Sequence, residues 1–230
     1  MIKDDSLLDA IEIETRAEPD ASIIWMHGLG DDGNGWSMVV DALGLPVNAR
    51  IRFIFPHAPM MPITINNGFV MRAWYDIAEK DKNGDGDITG VCASQKRIEA
   101  LITREIERGI KTTRMVLAGF SQGGVIALHT GLRYPQSFAG IVALSTYLMD
   151  AENLPRRASA ANRATPVFMA HGNSDTVVLP KWAMASRDFL KTNGYQVEWR
   201  DYPMGHSATD EELCDVGVFL NRVLPLCGDS

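Results

Sequence analysis

The sequence predicts an α/β protein with a mostly parallel sheet and helices on both of its faces. Short apolar segments that fit buried strands alternate with longer segments whose apolar residues recur at helical spacing. This alternation is typical of parallel strands joined by crossover helices. Neither a repeat nor a low-complexity linker divides the 230 residues. We therefore expect one domain over residues 1–230, with its core at residues 8–224.

The first predicted strand differs from the others in its pattern. In Leu8–Thr15, Ile11 and Ile13 alternate with Glu12 and Glu14, which predicts an antiparallel edge strand with one solvated face. The remaining segments are expected to be core strands. Most are apolar runs, and the last, Gln196–Tyr202, alternates through Val197 and Trp199. They are Ser22–His27, Ile51–Phe55, Met115–Ala118, Ala139–Leu144, Pro166–Ala170 and Gln196–Tyr202.

Helices are expected between these strands, and several of them end at a glycine. The segment 60–76 fits neither period, because it is apolar and broken by a proline, and we expect a flap-like loop there. The expected helices are Trp36–Leu45, Ser94–Gly109, a helix that begins near Val125, Lys181–Asn193 and Asp210–Leu224.

Composition excludes several classes of function. A net charge of −7 argues against a nucleic-acid-binding surface and against a polybasic membrane patch. Cys92, Cys214 and Cys227 form neither a zinc pattern nor a disulfide framework, and they suit a reducing compartment. The N-terminus lacks a signal core. We expect a cytoplasmic protein without a stable membrane anchor, and the sequence leaves a homodimer open.

Residues 114–128 carry the strongest chemical signal. The expected strand Met115–Ala118 leads into Gly119-Phe120-Ser121-Gln122-Gly123-Gly124, and a helical pattern follows. A serine at the apex of a sharp turn between strand and helix is typical of a nucleophile elbow. The glycines would let strand and helix approach closely. The alternative is a glycine-rich turn that matches by chance.

A serine nucleophile needs a base, and the base needs a carboxylate that orients it. His206 lies between the last strand and the last helix, and Asp175 lies in the loop after the preceding strand. This is the chain order Ser, acid, His of the α/β-hydrolases. The alternatives are a helix-capping His206 and an Asx-turn at Asp175. Rival acids are Asp150 and Asp201.

Acyl transfer also needs two N–H donors for the oxyanion of the tetrahedral intermediate. We expect the backbone N–H of Gln122, which follows the nucleophile, and that of Leu29, in the glycine-rich loop after the first core strand. The remaining histidines, His27, His57, His129 and His171, are expected to be structural.

Four motifs resemble the carboxylesterase/acyl-protein thioesterase (phospholipase/carboxylesterase) family of α/β-hydrolases. They are H-G-L-G-D at 27–31, G-F-S-Q-G-G at 119–124, H-G-N-S-D-x-V-V at 171–178 and G-H-S at 205–207. The segments P-H-A-P at 56–59, I-T-I-N at 63–66 and M-R-A-W-Y-D at 71–76 are similar too. The resemblance covers about residues 20–220 and implies the triad Ser121, Asp175 and His206, the donors Leu29 and Gln122, and no metal or cofactor.

The chain departs from the family pattern in two places. Asn173 stands where the family has an acidic residue that supports the loop. Residues 81–88 copy the first eight positions of an EF-hand calcium loop, but Cys92 occupies the twelfth, where a glutamate is required. We expect a solvated turn there, and calorimetric titration with calcium would test the alternative of a calcium site.

The substrate is expected to be a small ester or acyl thioester with an apolar acyl group. Alternatives are acyl-protein thioesterase or lysophospholipase activity and, from another class, a catalytically idle hydrolase fold that only binds ligands. Loss of a triad member would mark the idle protein, and none is lost. The side chains expected to line the acyl site are Met60, Ile65, Met71, Trp74, Leu148 and Val178.

Overall fold

A computed structural model describes residues 7–78 and 86–226. A seven-stranded sheet forms its centre. Its strands are β1 (Ala10–Glu14), β2 (Ala21–Met26), β3 (Ile51–Pro56), β6 (Met115–Phe120), β7 (Gly140–Leu144), β8 (Val167–Gly172) and β9 (Val197–Tyr202). Six of these strands are parallel, and β1 pairs antiparallel with β3 at one edge. Across the sheet the strand order is β1-β3-β2-β6-β7-β8-β9.

Helices cover both faces of the sheet, as the sequence predicts. Alternate residues of β2 point to opposite faces, so that Ile24 and Met26 belong to one buried cluster and Ile23 and Trp25 to the other. The helices are α1 (Gly33–Ser37), α2 (Val39–Ala42), α3 (Ile88–Glu107), α4 (Gln122–Arg133), α5 (Leu154–Arg157), α6 (Pro180–Thr192) and α7 (Asp210–Val223). In the part of the chain described, every helix is too short or too polar to cross a membrane.

Two of the expected helices have different boundaries. The segment 36–45 forms two short helices, and the first begins at Gly33 because the Asp32 carboxylate caps it by accepting the N–H groups of Asn34 and Gly35. Similarly, α3 begins at Ile88 and not at Ser94, because Asp87 accepts the Gly90 N–H at 2.8 Å. Side-chain caps therefore lengthen both helical regions at their N-termini.

The segment 60–76 contains a β-hairpin where we expected an irregular loop. Strand β4 (Met60–Ile63) pairs antiparallel with β5 (Phe69–Arg72). Asn67 and Gly68 have φ values of 55° and 76°, and this left-handed backbone lets the chain reverse between the strands. The hairpin stands apart from the main sheet and exposes Phe69 and Val70 to solvent.

The calcium-like segment lies mostly outside the described residues. Of the EF-hand pattern at 81–92, only the part from Gly86 onward is described, and Cys92 there belongs to α3. Within residues 7–78 and 86–226, the structure shows no cluster of three or more side chains suited to a metal ion.

Glu212 on α7 is an unusual member of the core. It is fully buried, and neither carboxylate oxygen has a hydrogen-bond partner among the described residues. Burial raises the pKa of Glu212 from 4.5 to about 8, because the charged form loses its hydration. The folded state therefore holds the proton more tightly than the unfolded chain, and α7 packs best when this side chain is neutral.

This burial predicts a pH-dependent stability that Glu212→Gln removes. Because the folded pKa is raised, the stabilising contribution of the neutral carboxyl is complete below pH 4.5 and is lost as the pH rises through about 8. The loss amounts to at most about 1.4 kcal/mol per pH unit in that window. Denaturant unfolding from pH 5 to 8 should show the decline in wild type and in the control Glu211→Gln, which changes an exposed neighbour. Parallel curves for Glu212→Gln and wild type would contradict it.

Candidate active site

Ser121 stands on the sharp turn between β6 and α4. Its backbone has φ 55° and ψ −119°, a conformation that is strained for a residue with a side chain. The end of β7 and the residues after it hold Ser121 in place: its N–H donates to the carbonyl of Leu144 at 2.9 Å, and its own carbonyl accepts the hydroxyl of Thr146 at 2.7 Å. The hydroxyl of Ser121 consequently projects into the cleft beyond the carboxyl ends of the strands.

Two glycines allow this turn. A Cβ on Gly119 would lie 2.2 Å from the carbonyl carbon and oxygen of Gly123, and a Cβ on Gly123 would lie 2.1 Å from the carbonyl oxygen of Met26. These neighbours are backbone atoms, which cannot rotate away as the end of a side chain can. The close approach of β6, α4 and β2 therefore requires glycine at both positions.

His206 and Asp175 lie beside Ser121 in one chain of hydrogen bonds. The distance from His206 Nε2 to Ser121 Oγ is 2.9 Å, and that from His206 Nδ1 to Asp175 Oδ2 is 2.7 Å. A carboxylate can only accept, so Nδ1 of the neutral imidazole carries the proton and Nε2 accepts the serine hydroxyl. This arrangement can take a proton from Ser121 while that hydroxyl attacks a carbonyl carbon.

Asp175 is buried and held firmly by its own loop. Its Oδ1 accepts the N–H groups of Val177 at 2.8 Å and Val178 at 2.9 Å. The Asx-turn that the sequence offered as an alternative is thus present, and it leaves Oδ2 free to face His206. The rival carboxylates lie elsewhere: Asp150 pairs with Arg133, and Asp201 is exposed on β9.

His171 contacts the same loop. Its Nε2 donates to the carbonyl of Val178 at 2.8 Å and lies 3.3 Å from Asp175 Oδ2. Burial lowers the pKa of His171, although the hydrogen bond to Val178 and the charge of Asp175 oppose this effect. Burial thus favours the neutral imidazole, which agrees with a structural position beside the triad carboxylate.

The expected oxyanion donors flank Ser121. Leu29 and Gln122 both line the same cleft, and within the described residues neither N–H bonds to another backbone group. Gln122 is the first residue of α4, where backbone N–H groups have no partner within the helix. Both groups are free to donate to an anionic oxygen next to the serine.

A cleft of about 540 Å³ opens above Ser121. Its walls are mainly apolar and aromatic, and Asp31 and Asp76 contribute carboxylates. Phe120 links two parts of the wall, because its ring lies 5.1 Å from that of Trp36 and 4.8 Å from that of His206. Other wall residues are Ile65, Ile77, Tyr147, Val177, Val178 and Trp182.

Only two of the six side chains expected to contact the acyl group line this cleft, namely Ile65 and Val178. Met60 is exposed on β4, and Met71 contacts Asn66 beside the cleft without lining it. Leu148 packs into the core. The structure therefore places these three residues outside the wall of the cleft, since an apolar segment does not show which of its side chains turn toward the cleft.

Trp74 also differs from the prediction. Its side chain is only 1% exposed, and its indole N–H donates to the carbonyl of His27 at 2.8 Å. It therefore lies behind the cleft and not in its wall.

Conversely, sequence reasoning missed Trp36, Ile77 and Trp182, which line the cleft. The position of Phe120 next to Ser121 in the motif was the one available signal for an aromatic wall.

Comparisons with known proteins find a matching family model, curated relatives and solved structures. A family model described as phospholipase/carboxylesterase matches residues 9–224. Acyl-protein thioesterase 1 of Neurospora crassa is 42% identical over 221 residues, which cover 91% of this chain and 89% of that protein. Two crystal structures resemble this chain with nearly equal TM-scores. Arabidopsis thaliana SOBER1 has a TM-score of 0.83 at 32% identity, covering 89% of this chain and 99% of that one. Zea mays acyl-protein thioesterase 2 has a TM-score of 0.82 at 30% identity, covering 94% and 99%.

Proposed function

Because the chain belongs to the phospholipase/carboxylesterase family of α/β-hydrolases, we propose that it is a serine esterase and thioesterase in which Ser121 is the nucleophile. Family membership makes the protein a hydrolase of acyl esters or thioesters. The observation that carries the finer proposal is the hydrogen-bonded chain from Ser121 through His206 to Asp175. The elbow supports it, and so do the N–H groups of Leu29 and Gln122, which bond to no other backbone group in the described part of the chain.

In the proposed acylation step, Ser121 Oγ attacks the acyl carbonyl carbon while His206 Nε2 takes the hydroxyl proton. Asp175 keeps the imidazole oriented and stabilises its positive charge. The N–H groups of Leu29 and Gln122 stabilise the oxyanion, and each such donor typically contributes about 10²–10³ in rate. When the tetrahedral intermediate collapses, His206 protonates the leaving alcohol or thiol, and an acyl-enzyme remains on Ser121.

Deacylation repeats these steps with water as the nucleophile. His206 takes a proton from the water, whose oxygen attacks the acyl carbonyl of the ester on Ser121. The second tetrahedral intermediate uses the same two N–H donors. Its collapse releases a carboxylic acid and returns the proton from His206 to Ser121 Oγ, so the enzyme is regenerated without a cofactor.

The apolar walls support an acyl group of apolar character. Ile65, Ile77 and Val178 can cover a hydrocarbon chain, and burying each methylene contributes about 0.8 kcal/mol.

Acyl-protein thioesterases among the relatives favour a second, narrower candidate, the removal of an acyl group from a protein cysteine. Comparing kcat/KM for p-nitrophenyl esters of rising chain length with that for a palmitoyl-cysteine peptide tests both. No turnover of either kind would contradict the proposal.

A substitution in the wall should change the preference for chain length. We expect Ile65→Asn to lower kcat/KM for long-chain esters about tenfold relative to acetyl esters, because the amide disfavours an apolar chain beside it. Val70→Asn is the matched control, since Val70 is exposed on the same hairpin and does not line the cleft. Equal chain-length profiles for the two variants would show that Ile65 does not contact the acyl group.

A further inference from the structure

Trp74 connects the two parts of the chain that carry the proposed oxyanion donors, the loop with Leu29 and the start of α4 with Gln122. Its indole N–H donates to the carbonyl of His27 at 2.8 Å, two residues before Leu29. Its backbone N–H donates to the side-chain oxygen of Gln122 at 3.1 Å. A single buried residue from the end of the hairpin is thus bonded to the loop after β2 and to the first residue of α4.

The side chain of Gln122 completes this connection. Its amide nitrogen donates to the carbonyl of Tyr75 at 2.9 Å, while its amide oxygen accepts from Trp74. Both ends of the amide are therefore fixed on consecutive residues of one backbone segment. Gln122 is 3% exposed, so water does not compete strongly for these bonds. Within residues 7–78 and 86–226 the side-chain amide forms no further hydrogen bond, and Gln122 does not belong to the triad.

The loop after β2 is fixed by further hydrogen bonds, one of which goes to the same segment and the others to the loop itself and to Ala58. The N–H of Gly30 donates to the carbonyl of Arg72 at 2.9 Å, and Arg72 in turn donates to the carbonyl of Ala58. The buried imidazole of His27 bonds to the Gly28 carbonyl and accepts the N–H of Ala58. Residues 72–75 therefore bond both to the loop that contains Leu29 and to the side chain of Gln122.

We infer that Trp74 and the Gln122 side chain are positioning residues, which set the spacing between the Leu29 and Gln122 N–H groups in the proposed hydrolysis. This inference rests on the proposed function. An oxyanion hole stabilises a transition state only when its donors are fixed before the reaction. A displacement of about 1 Å can cost about 10² in rate. Ground-state binding to the apolar walls does not depend on that spacing.

The test uses Gln122→Met and Trp74→Phe, which keep apolar bulk and remove the hydrogen bonds of the amide and of the indole. Trp25→Phe is the matched control, because Trp25 is equally buried and its indole N–H has no partner among the described residues. The measurements are kcat and KM on one p-nitrophenyl ester, normalised to the serines that react with a fluorophosphonate. The affinities for an alkyl trifluoromethyl ketone and for the corresponding non-reactive alkyl amide are measured beside them.

We expect each of the two variants to lower kcat at least about tenfold, with KM within threefold of wild type. Affinity for the ketone, which forms a tetrahedral adduct with a serine, should fall by the same factor, and affinity for the amide should not change. The double variant should lose less than the product of the single losses, because both residues act on one pair of donors. Trp25→Phe should keep the ratio of ketone to amide affinity.

The inference is overturned if Gln122→Met and Trp74→Phe keep the wild-type kcat, or if ketone and amide affinities fall together. Either result would make the network a packing feature without effect on the oxyanion donors. Two other results would instead contradict the proposed function itself: a wild-type protein without turnover, or a Ser121→Ala variant with the turnover of wild type. Because normalisation counts only reactive serines, partial unfolding of one variant does not imitate the expected result.

Discussion

Ser121→Ala should lower kcat for ester hydrolysis at least about 10⁴-fold, as removal of the nucleophile does in other serine triads. The variant lacks the oxygen that forms the acyl-enzyme. Only the oxyanion donors and the binding walls would remain to accelerate attack by water. KM should change little, because the hydroxyl contributes little to the apolar contacts of the substrate.

The measurement is steady-state turnover of a p-nitrophenyl ester, with a circular dichroism spectrum to show that the variant is folded. Ser174→Ala is the control, since its side chain is exposed in the loop after β8. Because alanine also disfavours positive φ, Ser121→Ala keeps most of the backbone strain at this position. Turnover near that of wild type in Ser121→Ala would exclude the proposed mechanism.

Asp175→Asn should lower kcat by about 10⁴ while leaving the fold intact. The N–H groups of Val177 and Val178 already occupy one oxygen of the side chain. In the variant they select the amide oxygen, and the NH₂ group must then face His206. The imidazole would accept this hydrogen bond at Nδ1 and carry its proton at Nε2. In that tautomer it cannot take the proton of Ser121.

Asp201→Asn is the matched control for this change, because Asp201 is an exposed carboxylate on the neighbouring strand β9. It should retain wild-type turnover. The pair of variants is compared by kcat on one ester at constant pH, with thermal unfolding as a check on the fold. If Asp175→Asn and Asp201→Asn have the same kcat, Asp175 does not orient the base.

Much of the fold could be predicted from the sequence because its core strands are continuous apolar segments. The parallel order and the antiparallel edge follow from such segments and from the alternation at 11–14. The hairpin at 60–76 could not be predicted, because its apolar residues do not alternate and because the chain reversal depends on the left-handed backbone at Asn67 and Gly68. The capped starts of α1 and α3 depend on single side-chain contacts, which a periodic pattern does not show.

The candidate site was predictable to the extent that chain order and turn residues define it. Ser121, Asp175 and His206 each follow a strand, and parallel strands bring their carboxyl ends to one edge. The wall of the cleft was less predictable, since Trp74 and Leu148 are apolar but turn into the core. Which face a side chain takes in an irregular segment depends on tertiary contacts such as the bond from Trp74 to His27.

The central claim is that hydrolysis proceeds through an acyl-enzyme on Ser121. The most direct test is to acid-quench the protein during turnover of a slowly deacylated p-nitrophenyl ester and to locate the added acyl mass by peptide mass spectrometry. We predict one acyl group on the peptide that contains Ser121 and none in Ser121→Ala. An acyl group on another residue, such as Cys92, with an unmodified Ser121 during turnover would contradict the account.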